Sequence, residues 1–103
     1  MNESQYQTAL IKTIQEVIPG CMVLKNDPRQ TQGIPDLIVL FEDKWAVLEL
    51  KISRRAKISA NQQYYIDTMG AMSFASFIYP ENEEEVLSAL QYAFGLTRET
   101  CIS

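Results

Sequence analysis

The stretch from Gly33 to Lys51, GIPDLIVLFEDKWAVLELK, places the tightest limit on what this chain can fold into. Two apolar runs flank a charged turn, and each carries an acid at the end remote from that turn. Asp36 opens the first run, and Glu49 and Lys51 close the second around Leu50. Pro35 to Phe41 and Trp45 to Lys51 are too short and too β-branched for helices, so they predict strands joined through Glu42, Asp43 and Lys44. If Phe41 faces Lys44 across a two-residue loop, Asp36 faces Glu49. If Phe41 faces Ala46, Asp36 faces Lys51 and Glu49 lies diagonal to it. Either register sets the carboxylates on one face with Cβ atoms about 5–8 Å apart, and Lys51 shares that face because strand side chains alternate. A three-residue turn would put the acids on opposite faces unless a bulge corrected the register.

Two carboxylates this close, in strands otherwise apolar, repel each other at neutral pH and need compensation. A hard divalent cation held by carboxylate and carbonyl oxygens provides it, and Mg²⁺ keeps positions open for water and phosphate. A lysine alongside can polarise or orient an attacking water. These are the parts of metal-dependent phosphodiester hydrolysis.

The ordered set Gly33, Pro35, Asp36, Glu49, Lys51, Gln62 and Gly70 resembles the PD-(D/E)xK nuclease superfamily. Within it, GIPD, a strand, ELK, then ISANQ, MGA and a further strand resemble the VRR-NUC (virus-type replication-repair nuclease) family. The likeness runs from Glu3 to about Tyr79. It implies a restriction-endonuclease-like α/β core and DNA cleavage that leaves a 5′-phosphate and a 3′-hydroxyl. It also implies Mg²⁺ or Mn²⁺ held by Asp36, Glu49, the Leu50 carbonyl and an acid of the first helix, for which Glu3 is the candidate. Lys51 would handle the water, and Gln62 would orient a catalytic or substrate group. Stand-alone members resemble Holliday-junction resolvases, so branched DNA and a homodimer are expected. A bulky apolar set, Tyr64, Tyr65, Met69, Met72, Phe74 and Phe77, supports the homodimer, being more than a small core readily hides.

The 103 residues predict a single domain, 1–103, with a small core; 47% of them are hydrophobic, as in a globular protein. No run approaches ~18 apolar residues, so no membrane span is expected. The segment MNESQYQTAL lacks the basic and apolar regions of a signal peptide, which predicts a cytoplasmic protein. Cys21 and Cys101 are read as free thiols. With no histidine in the chain, a structural zinc site and histidine-based catalysis are excluded, and hydrolysis must rely on carboxylates, lysine and a metal. The net charge of −4 runs against nucleic-acid binding. It is, however, uneven: residues 1–79 hold eight basic and eight acidic residues, and residues 80–103 hold one basic and five acidic.

Residues 3–18 predict a helix with Tyr6, Leu10, Ile14 and Val17 on one face, ended by Pro19-Gly20. Glu3 falls within about 20° of Leu10, on that apolar stripe; the alternative is that it simply favours the helix N-terminus. Cys21 to Lys25 predicts a strand, which places Lys25 near the site as a DNA contact. The polar loop RQTQG should lie over Asp36, with Arg29 as its phosphate-binding candidate. Arg54, Arg55 and Lys57 form a basic loop beside the acids, suited to phosphate contact. Ser59 to about Gly70 predicts a second helix opened by a capping box from Ser59 to Gln62. That cap competes with a site role for Gln62, because one residue does not easily do both. Its inner face is read as Ala60, Tyr64, Tyr65, Thr68 and Met69, and Gly70 as its C-cap. Ser73 to Tyr79 predicts a central strand buried on both faces. Asn82 with Glu85 should cap a last helix that buries Val86, Leu87, Leu90, Ala93 and Phe94. The expected order is αβββαβα, a mixed sheet flanked by helices. Two other classes stay open: a nucleic-acid-binding module without turnover, and a protein-interaction domain in which Asp36 and Glu49 are structural acids.

Overall fold

Phe41 faces Lys44 in the hairpin, the tighter of the two registers. Glu42 and Asp43 alone form the turn, and Glu42 takes a positive φ of 56°, as the first central residue of a two-residue hairpin loop must. This computed structural model describes residues 1–96, so Arg98 and the thiol predicted free at Cys101 lie outside the described residues. The elements are α1 (Glu3–Val17), β1 (Met22–Lys25), β2 (Leu37–Phe41), β3 (Lys44–Leu50), α2 (Ala60–Gly70), β4 (Phe74–Ile78) and α3 (Glu83–Ala93). The order αβββαβα is the expected one. The sheet runs β1-β2-β3-β4, antiparallel through β3 and parallel between β3 and β4. A parallel pair needs a crossover, and α2 with its loops supplies it.

The alternation within each strand divides the sheet into two unlike faces. Leu37, Val39, Ala46, Leu48, Leu50 and Ile78 point to one side, where they join Tyr6, Leu10 and Ile14 of α1 and Val86, Leu87 and Leu90 of α3 in a single buried cluster. Each such aliphatic side chain stabilises the fold by about 1.5–3 kcal/mol on burial. Phe41 stacks on Phe94 with ring centres 5.8 Å apart and closes the cluster at the turn end. On the other face α2 packs over β4 and β3 and buries Val47 and Ile66. Toward β1 that face is open: Met22 is 58% exposed and Leu24 is exposed as well.

Several local expectations need correction. β4 is an edge strand rather than a central one. Its uncharged, poorly alternating sequence reflects cover from α2 and α3 on its two faces. Asn82 does not cap α3; its amide accepts from Tyr79 N (2.8 Å) and donates to the Phe77 carbonyl (3.2 Å), tying up backbone groups where β4 ends. Gly70 is the last residue of α2, and the C-cap is Ala71. The buried residue of α2 is Ile66, while Ala60 and Tyr64 face solvent. Ala93 is exposed too, one position off the buried stripe of α3.

Gly33 ties the long β1–β2 loop to the start of α2. Its φ is +87°, and a Cβ there would lie 2.4 Å from Asn61 Cβ and 2.9 Å from the Asn61 carbonyl carbon. Gly20 has a similar φ of +91° but open surroundings, its nearest neighbour being a Phe41 ring carbon at 3.9 Å. Gly20→Ala should therefore cost only the left-handed backbone penalty, about 1–2 kcal/mol. Gly33→Ala adds an overpacking clash of about 1–3 kcal/mol. Urea denaturation of both variants should show the larger loss at Gly33.

Candidate metal and phosphodiester site

Continuing the β2–β3 register one step past Leu37 and Leu48 sets Asp36 opposite Glu49. Lys51 follows two residues later on the same face. The two acids are handled differently. Asp36 is half-buried, and its Oδ2 accepts the backbone N–H of Leu50 at 2.8 Å. Glu49 is the one buried charged residue among the described residues, at 4% exposure. Its Oε2 accepts from Gln62 Nε2 at 2.9 Å and lies 4.0 Å from Lys51 Nζ.

Gln62 completes the helix cap and also reaches Glu49 and Lys51, contacts that one side chain was not expected to combine. Its Oε1 accepts from Ser59 N at 3.0 Å, and its own N–H donates to Ser59 Oγ at 3.2 Å, completing the capping box. The same Oε1 also accepts from Lys51 Nζ at 2.8 Å, while Nε2 reaches Glu49. An amide oxygen has two lone pairs and its nitrogen two protons, so one side chain serves the helix cap, the ammonium and the carboxylate together. The N-terminus of α2 is thereby fastened to β3.

Lys51 Nζ has a second acceptor in the Lys57 carbonyl at 2.9 Å. With two of its three protons engaged, it keeps one for water, phosphate or a carboxylate. Glu49 is pushed up to about 8. Burial is the main cause and the Asp36 charge the next; Lys51 pulls the other way, and a hydrogen bond with Asp36 and the Glu3 charge raise it further. Glu3 is exposed rather than on the buried stripe. Even so, partial burial and the Asp36 charge raise its carboxyl above the usual range and Lys51 lowers it, so the start of α1 lies within electrostatic reach of the site. Asn2, with Gln5, caps that helix.

Leu50 is fully buried between the two polar positions. A two-carboxylate site with a neighbouring backbone carbonyl suits a hard cation by donor chemistry. Among the described residues, however, no group of three or more acidic, cysteine or histidine side chains is drawn together as a ligand set. Asp36 and Glu49 with oxygen from backbone and water are the donors that fit; Glu3 is a neighbour.

The basic candidates separate into three groups. Arg29 is engaged with Asp27 through two 3.1 Å hydrogen bonds, on a side chain that is 88% exposed. Lys25 pairs with Leu37 across the strands, so its side chain leaves from the face opposite Asp36. Arg54, Arg55 and Lys57 are exposed on the loop that follows Lys51 and form no ion pair among the described residues. That loop is held at two points, by the Lys57 carbonyl on Lys51 and by Arg54 N donating to Glu81 Oε2 at 3.3 Å. Glu81 carried no signal in the sequence beyond its place near a helix start. Two cavities lie away from the acids: one of about 410 Å³ near Trp45, Met72 and Phe94, and one of about 740 Å³ along Glu81, Glu84, Glu85 and Tyr92.

No protein-family model, curated protein or solved structure matches the chain.

The raised Glu49 carboxyl makes stability depend on pH. Between its ordinary value near 4.5 and about 8, the folded chain holds a proton that the unfolded chain releases, so stability falls as pH rises through that window. Thermal melts in EDTA should show a lower Tm at pH 8.5 than at pH 5.5. Glu49→Gln should flatten the difference, which for a shift of this size is on the order of a few kcal/mol.

Proposed function

We propose that this chain is a Mg²⁺- or Mn²⁺-dependent, structure-specific DNA endonuclease with a restriction-endonuclease-like core of the VRR-NUC type. Its substrate is branched DNA, such as a Holliday junction, and it acts in the cytoplasm as a homodimer. The observation that carries the proposal is the convergence of Asp36, Glu49 and Lys51 on one side of two paired strands, with Gln62 bonded to two of the three.

Asp36, Glu49 and the Leu50 carbonyl would hold the cation, with Glu3 beside them. The bound cation supplies positive charge against the scissile phosphate and the leaving oxygen. Lys51 orients the attacking water through the N–H that Gln62 and Lys57 leave open; taking the water's proton would instead need the neutral amine, since an ammonium has no lone pair to accept it. Gln62 keeps that ammonium and the Glu49 carboxylate in fixed relation. Arg54, Arg55 and Lys57 contact flanking phosphates and so fix position rather than sequence. Among the described residues no helix presents a basic face for a groove, which favours recognition by shape. Exposed Tyr64 and Met72, together with Met22 and Leu24, provide apolar surface for a second copy.

One observation favours a second reading. Lys51 and Gln62 already surround Glu49, so the acids could be structural members of an interaction domain or of a binding module without turnover. Metal titration separates these classes, since only the nuclease needs Mn²⁺ bound through both acids. Plasmid, flap and four-way-junction DNA should be cut with Mg²⁺ and left intact in EDTA. Asp36→Ala, Glu49→Ala and Lys51→Ala should each lower the rate at least ~100-fold with the fold retained, the scale expected when an electrostatic or acid–base contributor is lost. A Glu49→Ala protein that cut as fast as the parent would refute the assignment.

Arg54→Ala with Arg55→Ala should weaken junction binding and reduce the slope of log K against log salt by about 1 to 2. Binding measured in Ca²⁺ across a salt series checks this. Sedimentation at micromolar concentration should show a dimer.

A further inference from the structure

We propose that Asn26 is the positioning residue for Asp36, a role that rests on the nuclease reading for its purpose but not for its geometry. By sequence Asn26 belongs to a turn, Asn-Asp-Pro. In the structure it makes two bonds to the first residues of the Asp36 strand. Its backbone N–H donates to the Asp36 carbonyl at 2.9 Å, and its side-chain Nδ2 donates to the Pro35 carbonyl at 2.8 Å.

The need for this clamp follows from the strand pairing. The β2–β3 ladder stops at Leu37 and Leu48. Beyond it the next two residues back, Asp36 and Pro35, face Glu49 and Leu50. Pro35 has no N–H to give, and the Leu50 N–H goes to the Asp36 side chain instead of to backbone. Strand β2 therefore enters the sheet without regular ladder bonds on the β3 side. Pro35 is fully buried, so its carbonyl needs a partner, and an unsatisfied one would be costly. Asn26 supplies that partner from β1 and carries the β1–β2 pairing one residue past Lys25 and Leu37. Its two bonds fix consecutive carbonyls, which sets the backbone from which the Asp36 carboxylate projects. That carboxylate in turn holds the Leu50 N–H, so Asn26 acts on the site through Asp36.

The side-chain bond can be removed while the backbone bond stays. Asn26→Ala deletes the donor, Asn26→Asp keeps the shape without the N–H, and Asn26→Ser keeps a shorter donor. Amide hydrogen exchange read residue by residue gives a test that does not depend on activity. In Asn26→Ala and Asn26→Asp, the Leu50 amide should exchange at least tenfold faster relative to the amides of Ala46 to Leu48, and Asn26→Ser should recover part of the protection. The Mn²⁺ dissociation constant, from calorimetry, should rise about tenfold. If the Leu50 amide speeds up only as much as those of Ala46 to Leu48, Asn26 is a general structural residue and the proposal fails. If Leu50 responds as expected while the parent protein binds no Mn²⁺ and cuts no DNA, Asn26 positions Asp36 and it is the nuclease reading that fails. Should Asn26→Ala not fold, the isosteric Asn26→Asp carries the same comparison.

Discussion

The two-residue turn between Phe41 and Lys44 determines everything that follows in this molecule. Side chains alternate along a strand, so adding one residue to that loop would exchange the two faces of one strand relative to the other. The present count puts Leu37, Val39, Ala46, Leu48 and Leu50 on one face, which α1 and α3 seal. The same count puts Asp36, Glu49 and Lys51 on the opposite face. The core and the polar site are thus two consequences of one register. Glu42 accepts an unfavourable positive φ to keep the loop short, a local cost that the dry face outweighs.

The polar side of the sheet poses a harder problem than the core. A buried carboxylate facing another acid is unfavourable unless paired and hydrogen-bonded. Part of the compensation is protonic, in the raised Glu49 carboxyl. Part comes from outside the sheet, through Gln62, which belongs to a helix that must be present anyway to return the chain for the parallel pair. Its cap bonds orient the amide before it meets Glu49 and Lys51. Gly33 brings the preceding loop against the same helix turn, close enough that only a hydrogen fits in place of a side chain. The start of α2 is therefore the point at which loop, helix and β3 are joined.

Much of this was readable in the residues themselves, and the gaps have physical reasons. Period-2 and period-3.6 patterns located every element to within about two residues. The acids stood out because carboxylates are costly in apolar strands. The register remained open between two choices, since turn length depends on whether Lys44 belongs to the loop or the strand, and its side chain suits both. Gln62 was seen as cap or site residue, but not as both, because sequence spacing does not reveal that a side chain in a cap still presents its other atoms outward. Asn26 and Asn82 were missed for a related reason. Each reads as a turn or cap residue, and each instead sends its side-chain amide N–H to a backbone carbonyl at a strand terminus, nine and five residues away. Such partners depend on the tertiary path of the chain. β4 was misplaced as central because cover on both faces has the same composition whether or not a further strand lies beside it.

The arrangement around Lys51 ties the basic loop to the acidic pair. Its ammonium bonds the Lys57 carbonyl and Gln62 together, so the basic loop is closed by the same group that neighbours Glu49. At the other end of the loop, Arg54 N rests on Glu81 at the approach to α3. Both anchors use backbone atoms of the loop. Among the described residues the Arg54, Arg55 and Lys57 side chains form no ion pair, which leaves their charge available to a polyanion. A loop held by its backbone loses less conformational freedom on binding than a free one, which favours its cations despite the net negative charge of the chain. The acidity lies toward α3, where Glu81, Glu83, Glu84 and Glu85 sit near the positive end of that helix's dipole. The basic loop thus lies between the Asp36 and Glu49 pair and the acidic start of α3, held by its backbone at Lys51 on one side and at Glu81 on the other.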